Sequence, residues 1–279
     1  MAIAKASAFR IAGAVLAALP AMGFAVLAYV WLTLPDVRDL KTHNPSTTAF
    51  MELRASEARA RNVAPRHVQR WVPYGHISAD LKRAVLVAED DAFWQHDGVD
   101  YGQLQESLET DWARGRLVDW ARGRFARGGS TITQQLAKNL YLSPSKNPLR
   151  KLSELLIARR LEAELKKARI LELYLNVIEW GDGIYGVQAA SRTYFSEDAS
   201  DLGPNESALL AAAIINPRRL NPARPGTRLI RRQQLILRRM GAVSPPESAP
   251  ESAPEAVPPL ETEAQTVSRP HVSSAQLER

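Results

Sequence analysis

The feature that most constrains this chain is a long uncharged stretch near its start. Residues 11–34 contain no Asp, Glu, Lys or Arg. As a helix, this stretch would span about 36 Å, which exceeds the roughly 30 Å of a bilayer core. It is long for the apolar part of a cleaved signal peptide, and no clear small-residue cleavage site follows it. We therefore predict an uncleaved transmembrane anchor over residues 11–34, whose orientation the flanking charges leave open.

The end of the chain has a different composition. Residues 244–279 contain seven prolines, six glutamates and two arginines, with little apolar periodicity. Such a segment buries too little surface to offset the entropy of ordering, so we predict a disordered Pro/Glu/Ser-rich tail. The chain carries +6 in total. Since the tail carries −4 and residues 1–35 carry +2, residues 36–243 carry +8.

The basic middle of the chain has helical periodicity. Apolar residues recur at helical spacing in residues 80–90, 130–141, 150–175 and 205–215. Ser130 or Thr131 is the predicted N-cap of the second run, and Asn205 is predicted to open the fourth. There is no alternating strand series, no G-x-G-x-x-G and no P-loop. We predict a mostly α fold, with a membrane-proximal segment over residues 35–69 and a folded domain over residues 70–243.

Two properties of the whole chain restrict the kinds of site and partner that it can have. The chain has no cysteine, which excludes disulfides, thiolate metal sites and a cysteine nucleophile. Its positive excess indicates an anionic partner without naming one.

Acidic residues crowd the end of the first predicted helix, within residues 88–100. Glu89, Asp90 and Asp91 would repel one another there, and nearby aromatic residues can desolvate them. Both effects raise a carboxyl pKa, as a general base requires. A solvated acidic helix end, with His96 as a cap, is the alternative interpretation.

A glycine pair leads into a polar helix start within residues 122–139. Hydroxyl and amide side chains follow this basic segment, and the free N–H groups of a helix N-terminus suit phosphate oxygens. A basic surface loop with an ordinary cap is the alternative.

A carboxylate interrupts an apolar stripe within residues 150–165. On a helix, Glu154 lies in line with Ala158, Leu161 and Leu165. Such a carboxylate is either functional or paired with Arg150 one turn earlier, and the sequence leaves both open. Two carboxylates, at 89 and 154, with cationic residues between them indicate sugar or phosphate chemistry.

Together these segments resemble glycosyltransferase family 51, the peptidoglycan glycosyltransferases. The matching segments are EDDAFWQHDG (89–98), GGSTITQQLAKN (128–139), RKLSELLIARRLE (150–162), ILELYLNVIEWGDGIYGVQAAS (170–191) and, more weakly, NESALLAAAIINPRRLNP (205–222). The segment RRQQLILRRM (231–240) is similar to the end of the family's monofunctional members. The matches cover roughly residues 70–240, in the family's order.

The resemblance implies a fold and a reaction. It implies a helical, lysozyme-like head with a smaller membrane-associated jaw, behind an N-terminal transmembrane helix. The implied reaction polymerises lipid II into glycan strands by inverting transfer, with release of undecaprenyl pyrophosphate. It implies partners in lipid II, the lipid-linked glycan, the cytoplasmic membrane and cell-wall synthesis or division proteins, rather than nucleic acid. Residues 1–10 would be cytoplasmic, and the domain would be periplasmic or external.

The resemblance also assigns residues. Glu89 matches the family's catalytic base, and Glu154 matches its second essential carboxylate. The matched substrate-binding positions are Asp90, Phe93, His96, Gly98, Gly129, Ser130, Thr131, Thr133, Gln134, Gln135, Lys138, Asn139, Lys146, Arg150 and Lys151. Lys146 departs from the family's usual arginine, which removes a bidentate donor at that position. No spacing here requires a cofactor or metal ligand, while analogy admits Mg²⁺ or Mn²⁺ at the leaving group.

Three competing interpretations remain distinct from this one. Ser143 and Lys146 match S-x-x-K of a transpeptidase, but no S-x-N or K-T-G follows, so we predict no transpeptidase activity. A lysozyme-like hydrolase or lytic transglycosylase would share the fold and the carboxylates. A non-catalytic membrane scaffold is the third interpretation.

Overall fold

The computed structural model describes residues 18, 20–25, 27–29, 31–102, 105, 106, 109, 130–142 and 148–242. Several predictions fall outside the described residues. They concern the N-terminal segment 1–10, Gly129, the Ser143–Lys146 match, the tail at 244–279 and part of the 11–34 stretch.

The described part of the chain is mostly helical, as predicted. The helices are α1 (Ala49–Ala60), α2 (Ala79–Glu89), α3 (Ile132–Tyr141), α4 (Pro148–Glu164), α5 (Lys167–Val177), α6 (Val187–Phe195), α7 (Pro204–Ala213) and α8 (Thr227–Arg239). Short 3₁₀ helices span Arg38–Lys41, Tyr74–His76, Phe93–Gln95 and Met240–Ala242.

The predicted membrane anchor is only partly described. Residues 20–25 and 27–29 are helical. Within the described residues, no helix has both the length and the apolar character needed to cross a bilayer. The anchor over residues 11–34 stays a prediction.

Helices α3 and α5 form the centre of the domain. Helix α3 packs against α1, α4 and α5, and α5 buries every residue from 169 to 177. Helices α2, α7 and α8 pack on one another in a second group. The polar end of α2 and the start of α3 meet between these groups, which places the predicted site at their junction.

The predicted run 150–175 is two helices rather than one. Helix α4 ends at Glu164, and Lys166 has an extended backbone as the N-cap of α5. The buried Arg169 in the first turn of α5 donates hydrogen bonds to the carbonyl oxygens of Leu40 and His43, at 2.9 and 3.0 Å. The carbonyl groups that bind Arg169 belong to residues more than 120 positions earlier in the chain. Local periodicity could therefore not predict where the run divides into two helices.

Two helix starts show local sequence rules. Thr131 is the N-cap of α3, as predicted, and its Oγ1 accepts a hydrogen bond from the backbone N–H of Gln134 at 3.2 Å. The prediction that Asn205 opens its helix is wrong by one residue. Helix α7 starts at Pro204 after the N-cap Gly203, because a proline at the first helical position has a suitable φ and lacks only an N–H that would be unpaired anyway.

A small three-stranded sheet was not predicted from the sequence. Its order is β1 (Val68–Gln69), β3 (Ile184–Tyr185), β2 (Glu179–Gly181), with β1 parallel and β2 antiparallel to β3. Strands of two or three residues are too short to establish an alternating pattern. Asn176 fixes the neighbouring segment, since its side chain accepts from the N–H of Val72 and donates to its carbonyl, both at 2.8 Å.

Candidate active site

Helix α2 delivers Glu89 to the site as its last residue. Ser78 caps the helix, and an apolar face that includes Leu81 and Val85 anchors it in the core. The chain becomes extended at Asp90, where φ is −168° and ψ is 81°. Consecutive carboxylates at 89 and 90 therefore leave the helix in different directions.

The carboxylate of Glu89 is desolvated but contacted from two sides. Its side chain is 13% exposed, and a guanidinium nitrogen of Arg232 lies 3.5 Å from its Oε1. Nε2 of Gln135 donates to its Oε2 at 3.0 Å. Burial raises the pKa of Glu89, whereas the hydrogen bond from Gln135 and the charges of Arg232 and Lys138 act to lower it. A carboxylate with a raised pKa suits proton abstraction.

Gln135 is held in one orientation by a buried tyrosine. The hydroxyl of Tyr174 donates to Oε1 of Gln135 at 3.0 Å. Because the amide oxygen accepts this bond, the amide nitrogen faces Glu89. Burial raises the pKa of Tyr174 well above its usual value, so its hydroxyl stays protonated and remains a donor.

The side chain of Asp90 points into the protein, where its hydrogen bonds connect three segments of the chain. Its side chain is 1% exposed. Nε2 of His96 donates to Oδ1 at 2.9 Å, and the backbone N–H of Ile132, the first residue of α3, donates to Oδ2 at 2.9 Å. Nδ1 of His96 accepts from the N–H of Gly98, which places the ring proton on Nε2. The negative charge also complements the N-terminal dipole of α3.

Gly98 closes this loop in a conformation that favours glycine. Its φ is +84°, and a Cβ there would lie 3.0 Å from Cγ of Glu162 and 3.3 Å from the carbonyl oxygen of Ala158. Its own carbonyl accepts from Oγ1 of Thr131 at 2.8 Å and from Nε2 of Gln134 at 3.2 Å. Asp90, His96, Gly98, Thr131 and Gln134 are thus one connected unit.

Glu154 lies in a cationic pocket on α4. Its side chain is 5% exposed, Arg150 donates to its Oε2 at 2.8 Å, and Lys151 donates to its Oε1. Nζ of Lys151 also donates to Oε1 of Gln134 at 3.0 Å and to Oγ of Ser130 at 3.4 Å. The ion pair with Arg150, one of the two interpretations of the sequence, is present. The second pair, with Lys151, links it to the start of α3.

The ammonium group of Lys138 interacts with the charges of both carboxylates, Glu89 and Glu154. Burial lowers the pKa of Lys138, while the charges of Glu154 and Glu89 act to raise it. Within the described part of the chain, its ammonium group has no hydrogen-bond or ion-pair partner. It is therefore a cation whose donors are available to an anionic group that enters the site.

Three other predicted positions make internal contacts. Phe93 is fully buried, and the ammonium group of Lys167 lies 4.3 Å from its ring centroid. Oγ1 of Thr133 donates to Oε1 of Glu162, which also accepts from Lys167. The side chain of Asn139 donates to the carbonyl one turn earlier on α3. A substrate contact for these residues stays a prediction.

Sequence reasoning missed Arg232 and Tyr174 as neighbours of the proposed base. Both lie in segments that carry the family resemblance, RRQQLILRRM and ILELYLN, but their position beside residue 89 depends on tertiary packing. Nε of Arg232 is buried and has no hydrogen-bond partner among the residues that the structure describes. Among the described residues, no three His, Asp or Glu side chains form a group that could hold a metal ion.

A desolvated carboxylate, an available lysine and a second carboxylate between cations together define a site of the class that acts on glycosidic bonds. Comparisons with known proteins specify it further. A family model described as Transglycosylase matches residues 57–241. The chain belongs to this family, and its predicted membership of glycosyltransferase family 51, among the monofunctional biosynthetic peptidoglycan transglycosylases, is confirmed.

Relatives are similar over most of their length. The biosynthetic peptidoglycan transglycosylase of Aromatoleum aromaticum is 54% identical over 178 residues, which are 63% of this chain and 73% of the relative. The protein of the same name from Nitrosomonas eutropha is 44% identical over 225 residues, 81% of this chain and 88% of the relative. That of Azoarcus sp. is 47% identical over 203 residues, 73% and 84% of the two chains.

Proposed function

We propose that this peptidoglycan transglycosylase polymerises lipid II, with Glu89 as the general base. The observation that carries the proposal is the desolvated carboxylate of Glu89, held by Gln135 and facing the same helix that carries Lys138. The family assignment supports a glycan substrate.

In the proposed reaction, Glu89 takes the proton of the acceptor's GlcNAc 4-hydroxyl. That oxygen forms a bond to C1 of the donor MurNAc, and the bond from C1 to the undecaprenyl pyrophosphate breaks. The configuration at C1 inverts from α to β, and the electron pair leaves with the pyrophosphate. Gln135 orients the base, because its own amide is fixed by Tyr174.

The cationic side of the site would hold the leaving group. Lys138 has donors available, while Arg150 and Lys151 flank Glu154. Pyrophosphate is polyanionic and favours such clusters. The divalent cation remains a prediction, and the proposed steps use only groups of this chain.

The location and specificity of the enzyme are part of the same proposal. Lipid II polymerisation takes place at the outer face of the cytoplasmic membrane, which is consistent with a single anchor at residues 11–34 and an external domain. We propose that the chain has no transpeptidase activity, because no S-x-N or K-T-G segment follows residue 146.

A lipid II polymerisation assay tests the proposal. The purified full chain in detergent should convert labelled lipid II into glycan strands that lysozyme degrades, with release of undecaprenyl pyrophosphate. Degradation of isolated sacculi without polymerisation would instead show a lytic enzyme. Membrane association without either activity would show a scaffold.

The pH dependence of the polymerisation activity should show the effect of the Arg232 charge on the pKa of Glu89. A base must be ionised, so activity is lost as pH falls through the pKa of Glu89, which burial raises above the ordinary 4.5. Because the charge of Arg232 lowers this pKa, Arg232→Gln should move the acid limb of kcat/KM to higher pH. Arg239→Gln is the control, since Arg239 pairs with Asp91 at 2.7 Å. An unchanged limb in Arg232→Gln would contradict the assignment.

Removal of the Lys138 charge should weaken productive binding of the anionic donor. A hydrogen bond to a charged group contributes about 1.5–3 kcal/mol, so Lys138→Met should lower kcat/KM by about 10- to 100-fold. The exposed Lys166 provides the control Lys166→Met, which should retain activity. Equal activity of the two variants in the polymerisation assay would remove Lys138 from the site.

A further inference from the structure

The last helix of the domain has an outer face of unpaired positive charge. Residues 207–242 contain eight arginines and no Asp, Glu or Lys. Three of these arginines, which we call the basic face, are Arg228, Arg231 and Arg238. They are exposed on α8 and make no hydrogen bond or ion pair in the part of the chain that the structure describes.

The basic face lies on one side of α8, next to the site. At 100° per residue, positions 228, 231 and 238 fall within a sector of about 80°. Leu235 lies inside the same sector and is 50% exposed. The adjacent sector carries Arg232 and Arg239, which reach Glu89 and Asp91. An occupant of the basic face would therefore lie beside the catalytic carboxylate.

We propose that the chain's own acidic segment, residues 244–263, binds the basic face of α8. This segment contains five glutamates and no Asp, Lys or Arg, and it follows the last described residue almost directly. The family match ends at residue 241, so the segment is additional to the part of the chain that the family model covers. Opposite charges on adjoining parts of one chain are the first argument for this contact.

The spacing of the charges is the second argument. Glu247, Glu251 and Glu255 recur every four residues in a proline-rich sequence. Proline-rich sequences favour the extended polyproline II conformation, which rises about 3.1 Å per residue, so these glutamates would be about 12 Å apart. On α8, Arg231 and Arg238 are separated by about 10.5 Å along the helix axis. An extended segment running back along the helix could thus bring Glu247 and Glu251 beside Arg238 and Arg231 in turn.

Because the acidic segment is covalently joined to the end of α8, it can bind the basic face even though each ion pair is weak. Exposed ion pairs contribute only about 0–1 kcal/mol each. Glu247 follows Arg238 by nine residues, and a short flexible tether gives an effective concentration in the millimolar range. An anionic phospholipid surface would use the same arginines, so the experiment must separate the two occupants.

The absence of cysteine from the chain makes a direct experiment possible. A single Ala256→Cys change in the full chain allows one dye to be attached to the tail, and time-resolved fluorescence anisotropy then reports its local rotation. At low salt, the bound tail should show a large slowly decaying component. Charge reversal of Arg228, Arg231 and Arg238 to Glu should remove most of this component, as should high salt, which screens exposed charges.

A compensating reversal distinguishes pairing from a general charge effect. Changing Glu247, Glu251 and Glu255 to Arg should also release the tail, and combining both reversals should restore the slow component. The control reverses three exposed arginines elsewhere, Arg59, Arg66 and Arg70, and should leave the anisotropy unchanged. Circular dichroism of each variant verifies that the helices remain folded.

Three outcomes would overturn the proposal. The first is a dye that rotates freely in the unmodified chain at low salt. The second is failure of the double reversal to restore the slow component. The third is a tail that rotates freely while the protein binds phosphatidylglycerol vesicles through the same three arginines, which would identify a lipid surface as the occupant. None of these readouts requires lipid II, so the outcome is independent of the proposed function.

Discussion

Replacement of Glu89 with Gln should abolish glycan polymerisation and leave the fold intact. General base catalysis contributes about 10²- to 10⁴-fold to a rate, and an amide cannot take the proton. The glutamine can still accept the hydrogen bond that Gln135 donates to the carboxylate at 3.0 Å. Since burial disfavours the charged form of Glu89, removing the charge should not lower the free energy of unfolding. The lipid II assay and a urea unfolding curve measure the two effects separately.

Asp91 provides the matched control for this experiment. It belongs to the same acidic cluster, but its side chain is 40% exposed and pairs with Arg239 at 2.7 Å. Asp91→Asn should therefore retain most of the polymerisation rate. If Glu89→Gln polymerises lipid II at the unmodified rate, another group takes the proton. If both variants lose activity equally, the cluster acts through its total charge rather than through one base.

The sequence was sufficient to predict the helical class and the position of the proposed base. An apolar helix that ends in consecutive acidic residues is a local pattern, and α2 ends at Glu89 as that pattern implies. The contact between Arg150 and Glu154 is equally local, because residues four apart on a helix face each other. The helix end at Glu89 was predicted and the Arg150–Glu154 pair was one of two open interpretations, and both depend only on periodicity within a single helix.

Contacts between distant segments could not be predicted in this way. Arg232 approaches Glu89 from a helix 143 positions later, and only the packing of α8 on α2 brings them together. The orientation of Gln135 depends on Tyr174, which lies on a different helix and is fully buried. Neither residue carries a charge pattern that distinguishes it from others on its helix.

The different roles of the three acidic residues at 89–91 are also a tertiary property. From the sequence alone, these three residues are interpreted as one cluster of mutually repelling charges. The extended backbone at Asp90 turns its side chain into the protein, where it is 1% exposed, whereas the side chains of Glu89 and Asp91 are 13% and 40% exposed. Two neighbouring carboxylates therefore differ in environment, because Glu89 keeps part of its side chain exposed whereas Asp90 is engaged in internal hydrogen bonds.

Replacement of Asp90 with Ala should accordingly destabilise the protein rather than impair only its chemistry. The change removes the acceptor for Nε2 of His96 and for the N–H of Ile132, and it leaves both donors buried without a partner. Unsatisfied buried donors cost about 1–3 kcal/mol each, so the free energy of unfolding should fall by about 2–6 kcal/mol. Urea unfolding monitored by tryptophan fluorescence measures this loss. Activity should fall as well, because the start of α3 carries Thr131 and Gln134.

Two further variants separate this structural role from the substrate contact that the family resemblance implies for Asp90. Asp90→Asn keeps one oxygen that can accept, so its stability should lie between those of Asp90→Ala and the unmodified chain. Asp91→Ala removes an exposed carboxylate and should change stability by no more than about 1 kcal/mol. If Asp90→Ala instead unfolds at the unmodified urea concentration and only its KM for lipid II rises, the structural role is contradicted and a direct substrate contact is supported.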